Sequence, residues 1–443
     1  MSQKPYYETK RKFLFFKQKQ IRFNTPGVEG MLEVPKGKTL LATLRNVDIT
    51  YGSGTKAFRA VTDMNMNIYR GEVLGLVGES GSGKSTIGRA IIGLTPHSFG
   101  EIKIFDKVVP KKMARGFKFG KKLKEYKEIE NFMVNKVQMI FQDPANSLNP
   151  HINVEAVVSE GLTNIKNAKE IYLFNIDQDV EKELYTKWLP EISYSQFYGE
   201  YKKQLDADIA LNENVAFESL YNKLANDLAN YPELKQASDY LAQAKAHREE
   251  LNKLTEVECK IILVRDILKS VGLDDSVLKR YPLEFSGGQQ QRIGISRAVV
   301  LRPSLLIADE PISALDVSIQ AQVVNIFNEL KEKYNLTILF IAHDLRMVEY
   351  ISDRIAVMNK GRLLEIGTTD EIMNHSLHPY TKSLLDAVPS IEGEKGSLIG
   401  YSYNPAIHGY TSLKQPQWIK INNDHYILAT PEELDEWRKG IYK

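Results

Sequence analysis

The sequence predicts a mixed α/β fold: a parallel-sheet core, an antiparallel β portion and a large helical insertion. Three observations point there. A short apolar run, a glycine-dense loop and a helix-spaced segment follow one another in VLGLV, GESGSGKST and IGRAIIGL across residues 73–94. Beyond about residue 295 strand-like and helix-like segments alternate, which implies parallel pairing. Between them, over about 163–260, Gly199 is the one glycine and apolar residues recur at helical spacing.

Composition sets the frame. A chain of 443 residues with 43% hydrophobic and 26% charged residues has ample apolar material for a large core and fits a globular protein of two or three domains. Its formal net charge of +2 supplies no overall field toward nucleic acid or lipid. The single cysteine, Cys259, excludes an intrachain disulfide and a four-cysteine cluster within this chain, and a reducing compartment suits it. The apolar run FLFF (13–16) is too short for a signal-peptide core, and no stretch approaches the apolar length of a membrane span. Work at a membrane would therefore need other chains to do the spanning.

Taken in order, residues 1–38 read as a basic extension ending in a VPKGK linker, either an arm or extra strand packed on the main domain or, through Lys10–Phe23, a contact with anionic lipid or a partner. TLLATLRNVDITY, NMNIYRGEVLGLV, GEIKIFDKVV and NKVQMIFQD then read as short β runs. The lysine run over 111–130, with its interleaved aromatics, reads as an exposed loop or helix in preference to a nucleic-acid contact. Within the insertion, Leu220, Leu224 and Leu228, then Leu234, Ala237, Leu241 and Ala244, mark two helices broken at Pro232. Cys259, in a helical stripe, reads as a small buried apolar residue. PSLLIADEP, SIQAQVVNIFNELKEKYN, LTILFIAHD and RIAVMNKGRLLEIG follow as strand, helix, strand and strand. An aromatic tail closes the chain.

The loop carries the first chemistry. Bare glycines let successive backbone N–H groups face one anion, and the helix behind presents its positive end to the same point. In the pattern GxxxxGK[ST], Lys84 would reach the β and γ phosphates of a nucleotide and the Ser85 hydroxyl would ligate Mg2+. Downstream, LLIADE ends an apolar strand with two acids. Asp309 suits the Mg2+ shell and Glu310 suits polarisation of an attacking water, because ligands in such sheets sit at the C-terminal ends of the strands. FSGGQQQR is a second glycine-rich helix start. One chain needs one phosphate cradle, so the second makes sense if it serves another subunit's nucleotide.

The ordered set GESGSGKS, FQD, FSGGQ, LLIADEP, SALD and IAHD resembles the ATP-binding cassette superfamily over roughly residues 40–368. The resemblance implies a RecA-like core with an antiparallel β subdomain and a helical subdomain. It implies an ATP cradle from Gly78, Glu79, Ser80, Gly81, Ser82, Gly83, Lys84, Ser85 and Thr86, with Ser85, Gln142 and Asp309 around Mg2+. It further implies Glu310 as general base, His343 as switch histidine, Asp316 as the D-loop acid, and Ser286, Gly287, Gly288 and Gln289 as the signature that closes on the γ-phosphate across a dimer. An aromatic stacking on adenine is implied too: Tyr51 fits best, and Phe58 less well because GSGTKA lengthens the interval.

DPANSLNP, YPLEFSGGQQQR and HPYTKSLLDAVP are similar to ATPase subunits of oligopeptide and dipeptide importers. That likeness implies a cassette at 39–368 interrupted by the insertion at about 163–260, and a C-terminal accessory region at 369–443. The implied partners are a second cassette, identical or paralogous, polytopic permease subunits at the cytoplasmic face of the plasma membrane, and indirectly an extracellular peptide-binding subunit. Two departures stand out. Gln142 and Ser286 lie 144 positions apart, more than is usual in the family, and the C-terminal cysteine cluster of many relatives has no counterpart. The rival class is a DNA-repair or chromosome ATPase, which also carries an insertion at this place. An insertion of about a hundred residues is short for a projecting coiled coil, no paired-cysteine hook exists, and HPYT is left unexplained.

Overall fold

The computed structural model describes residues 5–11, 17–113, 119–189, 195–211, 213–313, 315–386, 403–411, 414–422 and 424–442. The FLFF run, part of the lysine run and the end of the HPYTKSLLDAVP segment lie outside them. The chain divides into two compact units, one of Met1–Ser147 with Pro303–Lys443 and one of Leu148–Arg302.

Among the described residues the first unit holds three sheets. Strands β1 (Pro5–Arg11) and β2 (Lys17–Phe23) form an antiparallel hairpin. Its Arg22 guanidinium pairs with the Asp48 carboxylate and covers the Phe99 ring at 4.5 Å, so the extension rests on the neighbouring sheet. That sheet contains β3 (Leu40–Tyr51), β4 (Phe58–Tyr69), β6 (Phe99–Ile104) and β7 (Lys107–Val108), all antiparallel, in the order β4-β3-β6-β7.

The main sheet has eight strands. They are β5 (Val73–Val77), β8 (Val137–Ile140), β9 (Leu305–Asp309), β10 (Thr337–Ala342), β11 (Arg354–Asn359), β12 (Arg362–Thr368), β13 (Gln417–Lys420) and β14 (Tyr426–Ala429), in the order β13-β14-β12-β11-β5-β10-β9-β8. Strands β5, β9 and β10 are buried along their whole length, as central parallel strands covered on both faces must be. Their register matters for function. Ala342 lies opposite Val77 and Ile341 opposite Asp309, so the segments leaving these three strands emerge along one edge.

Several expectations change in the structure. NMNIYRGEVLGLV is not one strand: the chain turns at Gly71 and the two halves join different sheets. RIAVMNKGRLLEIG, expected as a single strand, is the hairpin β11–β12. Lys360 and Gly361 have φ of 43° and 79°, the pair of positive values a tight two-residue hairpin turn needs. A Cβ on Gly361 would lie 2.5 Å from the Ala60 carbonyl oxygen, which leaves no room for another residue. The tail is also structured. β13 and β14 extend the main sheet, and the helix Pro431–Arg438 packs Leu434 and Trp437 against Ile427 and Ala429. The lysine run ends in the helix Lys121–Lys136, whose one fully buried side chain is Met133.

The described residues of the second unit are helical, with no strand among them. Leu220, Leu224, Leu228, Leu234, Ala237 and Leu241 come together in one apolar core. Pro232 opens a 3-10 turn that ends one helical stretch and leads into Lys235–Leu251, because its ring cannot continue a helix already begun. Asp177 and Arg248 form a buried ion pair at 2.9 Å in the same unit. Cys259 is buried in the helix Glu256–Ser270, which Thr255 and Glu258 start with a reciprocal capping box.

Candidate functional site

Strand β5 stops at Val77 and the chain loops through Gly78–Gly83 into the helix Lys84–Ile91. Steric room dictates the glycines. A Cβ at Gly78 would stand 2.0 Å from the Met358 carbonyl oxygen, and Gly83, at φ 101°, would bring one to 2.8 Å from that of Ala60. The loop is pinned from β11–β12 as well, where the Gly361 N–H donates to the Ser82 carbonyl at 2.9 Å. Glu79 and Ser80 face outward, Ser82 is buried with an unpartnered hydroxyl, and Gly81 is exposed.

Lys84 folds back over this loop. Its ammonium, 4% exposed, donates to the carbonyls of Gly78 at 2.7 Å and Glu79 at 3.0 Å. Burial pulls its pKa down, while the carboxylates of Glu310, Asp309 and Glu79 push the other way. Ser85 donates its hydroxyl proton to Asp309 Oδ1 at 2.6 Å. The second oxygen of Asp309 is buried without a partner, and burial raises that carboxyl's pKa. A hydroxyl beside a half-satisfied buried carboxylate is a fit for a hard cation that keeps water and phosphate in its remaining positions. The glycine loop, sized for bare backbone, likewise fits an anion.

Around this pair stand the groups from the neighbouring strand ends. Glu310 is held at φ 46°, a left-handed backbone uncommon for its type, with its N–H donated to the Ile341 carbonyl at 3.0 Å. Its Oε2 accepts from Gln142 Nε2 at 3.0 Å and lies 3.8 Å from His343 Nδ1. Tyr51 is exposed, with its hydroxyl 3.5 Å from Thr86 Oγ1. Phe58 is its register partner across the β3–β4 hairpin and is 66% exposed, so both aromatics are surface residues.

Lys84, Ser85, Thr86, Asp309, Glu310, Gln142, His343 and Tyr51 are thus assembled on one unit. Asp316 sits apart from that hydrogen-bonded set, at the start of the helix Val317–Tyr334, where its side chain caps nothing. Within SALD, Ala314 lies outside the described residues. Ser286, Gly287, Gly288 and Gln289 belong to the second unit. They open the helix Gly287–Val299 with a capping box in which Gln289 Oε1 accepts from the Ser286 N–H at 3.2 Å, and they present an exposed helix start.

A parallel sheet with a glycine phosphate loop, a buried serine–aspartate pair and an acid at the next strand end defines a phosphate-loop nucleotide hydrolase. The sequence model described as ABC transporter matches residues 61–313, more than half of the chain. The chain belongs to that family and is an ATPase that works with ATP and Mg2+. A second model, Oligopeptide/dipeptide transporter, C-terminal region, matches residues 364–409. The chain is 36% identical over 405 residues to the oligopeptide transport ATP-binding protein OppF of Streptococcus pyogenes serotype M1, covering 90% of this chain and 99% of that one. It is 37% identical over 403 residues to the dipeptide transport ATP-binding protein DppF of Lactococcus lactis subsp. cremoris, covering 90% and 96%. Among solved structures, cbiO1 from Clostridium perfringens, part of the ABC transporter complex cbiONQ, aligns with TM-score 0.48 and 21% identity over 76% of this chain and 92% of that one. No helix among the described residues is long and apolar enough to cross a membrane.

Two contributors escaped the sequence reading. The Lys360–Gly361 turn braces the loop from a hairpin whose sequence has the pattern of a single strand. Tyr380, inside the HPYT motif, accepts with its hydroxyl oxygen from the Glu79 N–H at 3.0 Å, a contact spanning 301 residues.

Proposed function

We propose that this chain is the ATP-hydrolysing subunit of an importer that takes up oligopeptides or dipeptides. The observation that carries this reading is the match of residues 364–409 to the oligopeptide/dipeptide transporter region, joined to 36–37% identity with peptide-transport ATPases over 90% of the chain.

In this mechanism the amides of Gly78–Thr86 cradle the phosphates, and Lys84 leaves the Gly78 and Glu79 carbonyls to reach the β and γ groups. Ser85, the free oxygen of Asp309 and the side-chain oxygen of Gln142 would hold Mg2+. When bound, the ion offsets charge on the β and γ oxygens. Glu310 orients the attacking water and accepts its proton, while Gln142 and His343 hold that carboxylate in place. Tyr51 stacks on adenine. Ser286–Gln289 of a second cassette, identical or paralogous, closes on the γ-phosphate with its helix N-terminus, and Asp316 lies at the subunit boundary. The two cassettes serve polytopic permease subunits on the cytoplasmic face of the plasma membrane and, indirectly, an extracellular peptide-binding subunit.

The test is reconstitution of the chain with co-purified permease subunits in vesicles. ATP-dependent accumulation of a labelled peptide is the expected result. An ATPase stimulated by DNA and indifferent to permease subunits would overturn the assignment.

A further inference from the structure

The helix Pro379–Asp386 carries Tyr380 fully buried, its ring edge-on to Tyr403 at 5.3 Å. Its phenol, pushed up to about 12 by burial, stays protonated. The oxygen accepts from the Glu79 amide at 3.0 Å. That amide belongs to the peptide whose carbonyl, on Gly78, accepts from Lys84 at 2.7 Å. One peptide plane of the loop is therefore held at both ends, by Lys84 on its oxygen and by Tyr380 on its nitrogen.

The two restraints differ in kind. Lys84 must release the carbonyl when a phosphate arrives, so its grip ends on binding. Tyr380 stays, because its helix is anchored behind it: its own N–H donates to His378 Nδ1 at 3.1 Å, and the Leu377 N–H donates to Glu365 in β12 at 2.8 Å. Strand β12 pairs with β11, whose Met358 carbonyl abuts Gly78. A buried tyrosine hydroxyl often does no more than satisfy itself. This one is aimed at the backbone of a loop whose amide directions determine where an anion can sit.

We propose that Tyr380 is a positioning residue for the phosphate loop: it fixes the Gly78–Glu79 peptide while Lys84 changes partner, so the C-terminal region sets the chain's affinity for ATP. This rests on the reading of Gly78–Thr86 as the phosphate cradle.

The experiment uses the full chain. Tyr380→Phe removes the hydroxyl and keeps the ring. The Kd for Mg-ATP by calorimetry and the KM for ATP should each rise about three- to tenfold, the scale of one lost hydrogen bond, with kcat within about twofold. A purely structural role would lower the fraction of active protein and leave the KM of the remainder unchanged, and that outcome overturns the proposal. Should Tyr380→Phe not fold, hydrogen exchange on the parent chain without nucleotide decides. Protection of the Glu79 amide beyond that of the Ser80 and Gly81 amides supports the proposal, and equal exchange overturns it. Lys84→Ala is measured alongside. Undiminished nucleotide binding in that variant would take down the cradle reading and this inference together, whereas lost binding there with unchanged affinity in Tyr380→Phe would remove Tyr380 alone.

Discussion

Gln142 Nε2 donates to Glu310 Oε2 at 3.0 Å, joining the segment after β8 to the acid that follows β9. The bond holds the carboxylate next to Asp309, which accepts from the Ser85 hydroxyl. Glu310→Gln keeps the shape and removes the carboxylate proposed to take the water's proton. ATP hydrolysis should fall about 10²- to 10⁴-fold, with Mg-ATP binding retained, as read by steady-state ATPase assay and calorimetry.

Lys84 is a buried cation whose partners are two backbone carbonyls and nearby acids. Lys84→Ala should abolish the nucleotide-dependent rise in melting temperature, because the cation proposed to meet the phosphates is gone while the glycines remain, and the nucleotide-free Tm should also fall as the Gly78 and Glu79 carbonyls lose their donor. Thermal scans with and without Mg-ATP check this.

Gly78 has the Met358 carbonyl where a side chain would go. Gly78→Ala should cost about 1–3 kcal/mol of stability through overpacking and weaken nucleotide binding as the loop is displaced. Denaturant unfolding followed by calorimetry on the folded variant tests both halves.

His425 is enclosed between Glu365, at 2.9 Å from Nε2, and Glu371, at 3.0 Å from Nδ1. Burial works against its charge, yet the two carboxylates outweigh burial and raise its pKa above 6.5. The folded pKa exceeds the unfolded one, so this contribution to stability is fully present below about pH 6.5 and is lost as pH rises through the folded value. His425→Ala leaves the wholly buried Glu365 with backbone N–H donors but no cation, and should cost about 3–5 kcal/mol near pH 6 and less near pH 9. Urea unfolding of parent and variant at the two pH values measures the difference.

The catalytic strand ends were legible because local pattern and chemistry coincide there. VLGLV and LLIA are unbroken apolar runs and TILFIA nearly one; they lead into the glycine loop, into Asp309 and Glu310, and into His343. The β11–β12 hairpin was hidden because its two halves share one apolar character, although Asn-Lys-Gly at 359–361 is a turn signal of the right length. β13 and β14 are four-residue strands, QWIK and YILA, too short to display a period, and they become strands by pairing with β12 and each other. The Tyr380–Glu79 bond has no local signature at all, since neither residue's neighbours announce a partner 301 positions away.

Near its start the chain carries a clasp that only its end can close. The Trp418 N–H donates to the Pro26 carbonyl at 2.8 Å, and Val28 and Met31 share a core with Trp418 and Leu428. During synthesis at about 5–20 residues per second, the segment around Pro26 leaves the ribosome roughly 20–80 s before its mate exists. Val28 and Met31 can meet earlier strands of the same core in that interval, but the seam with Trp418 and Leu428 is the last part of it to be sealed.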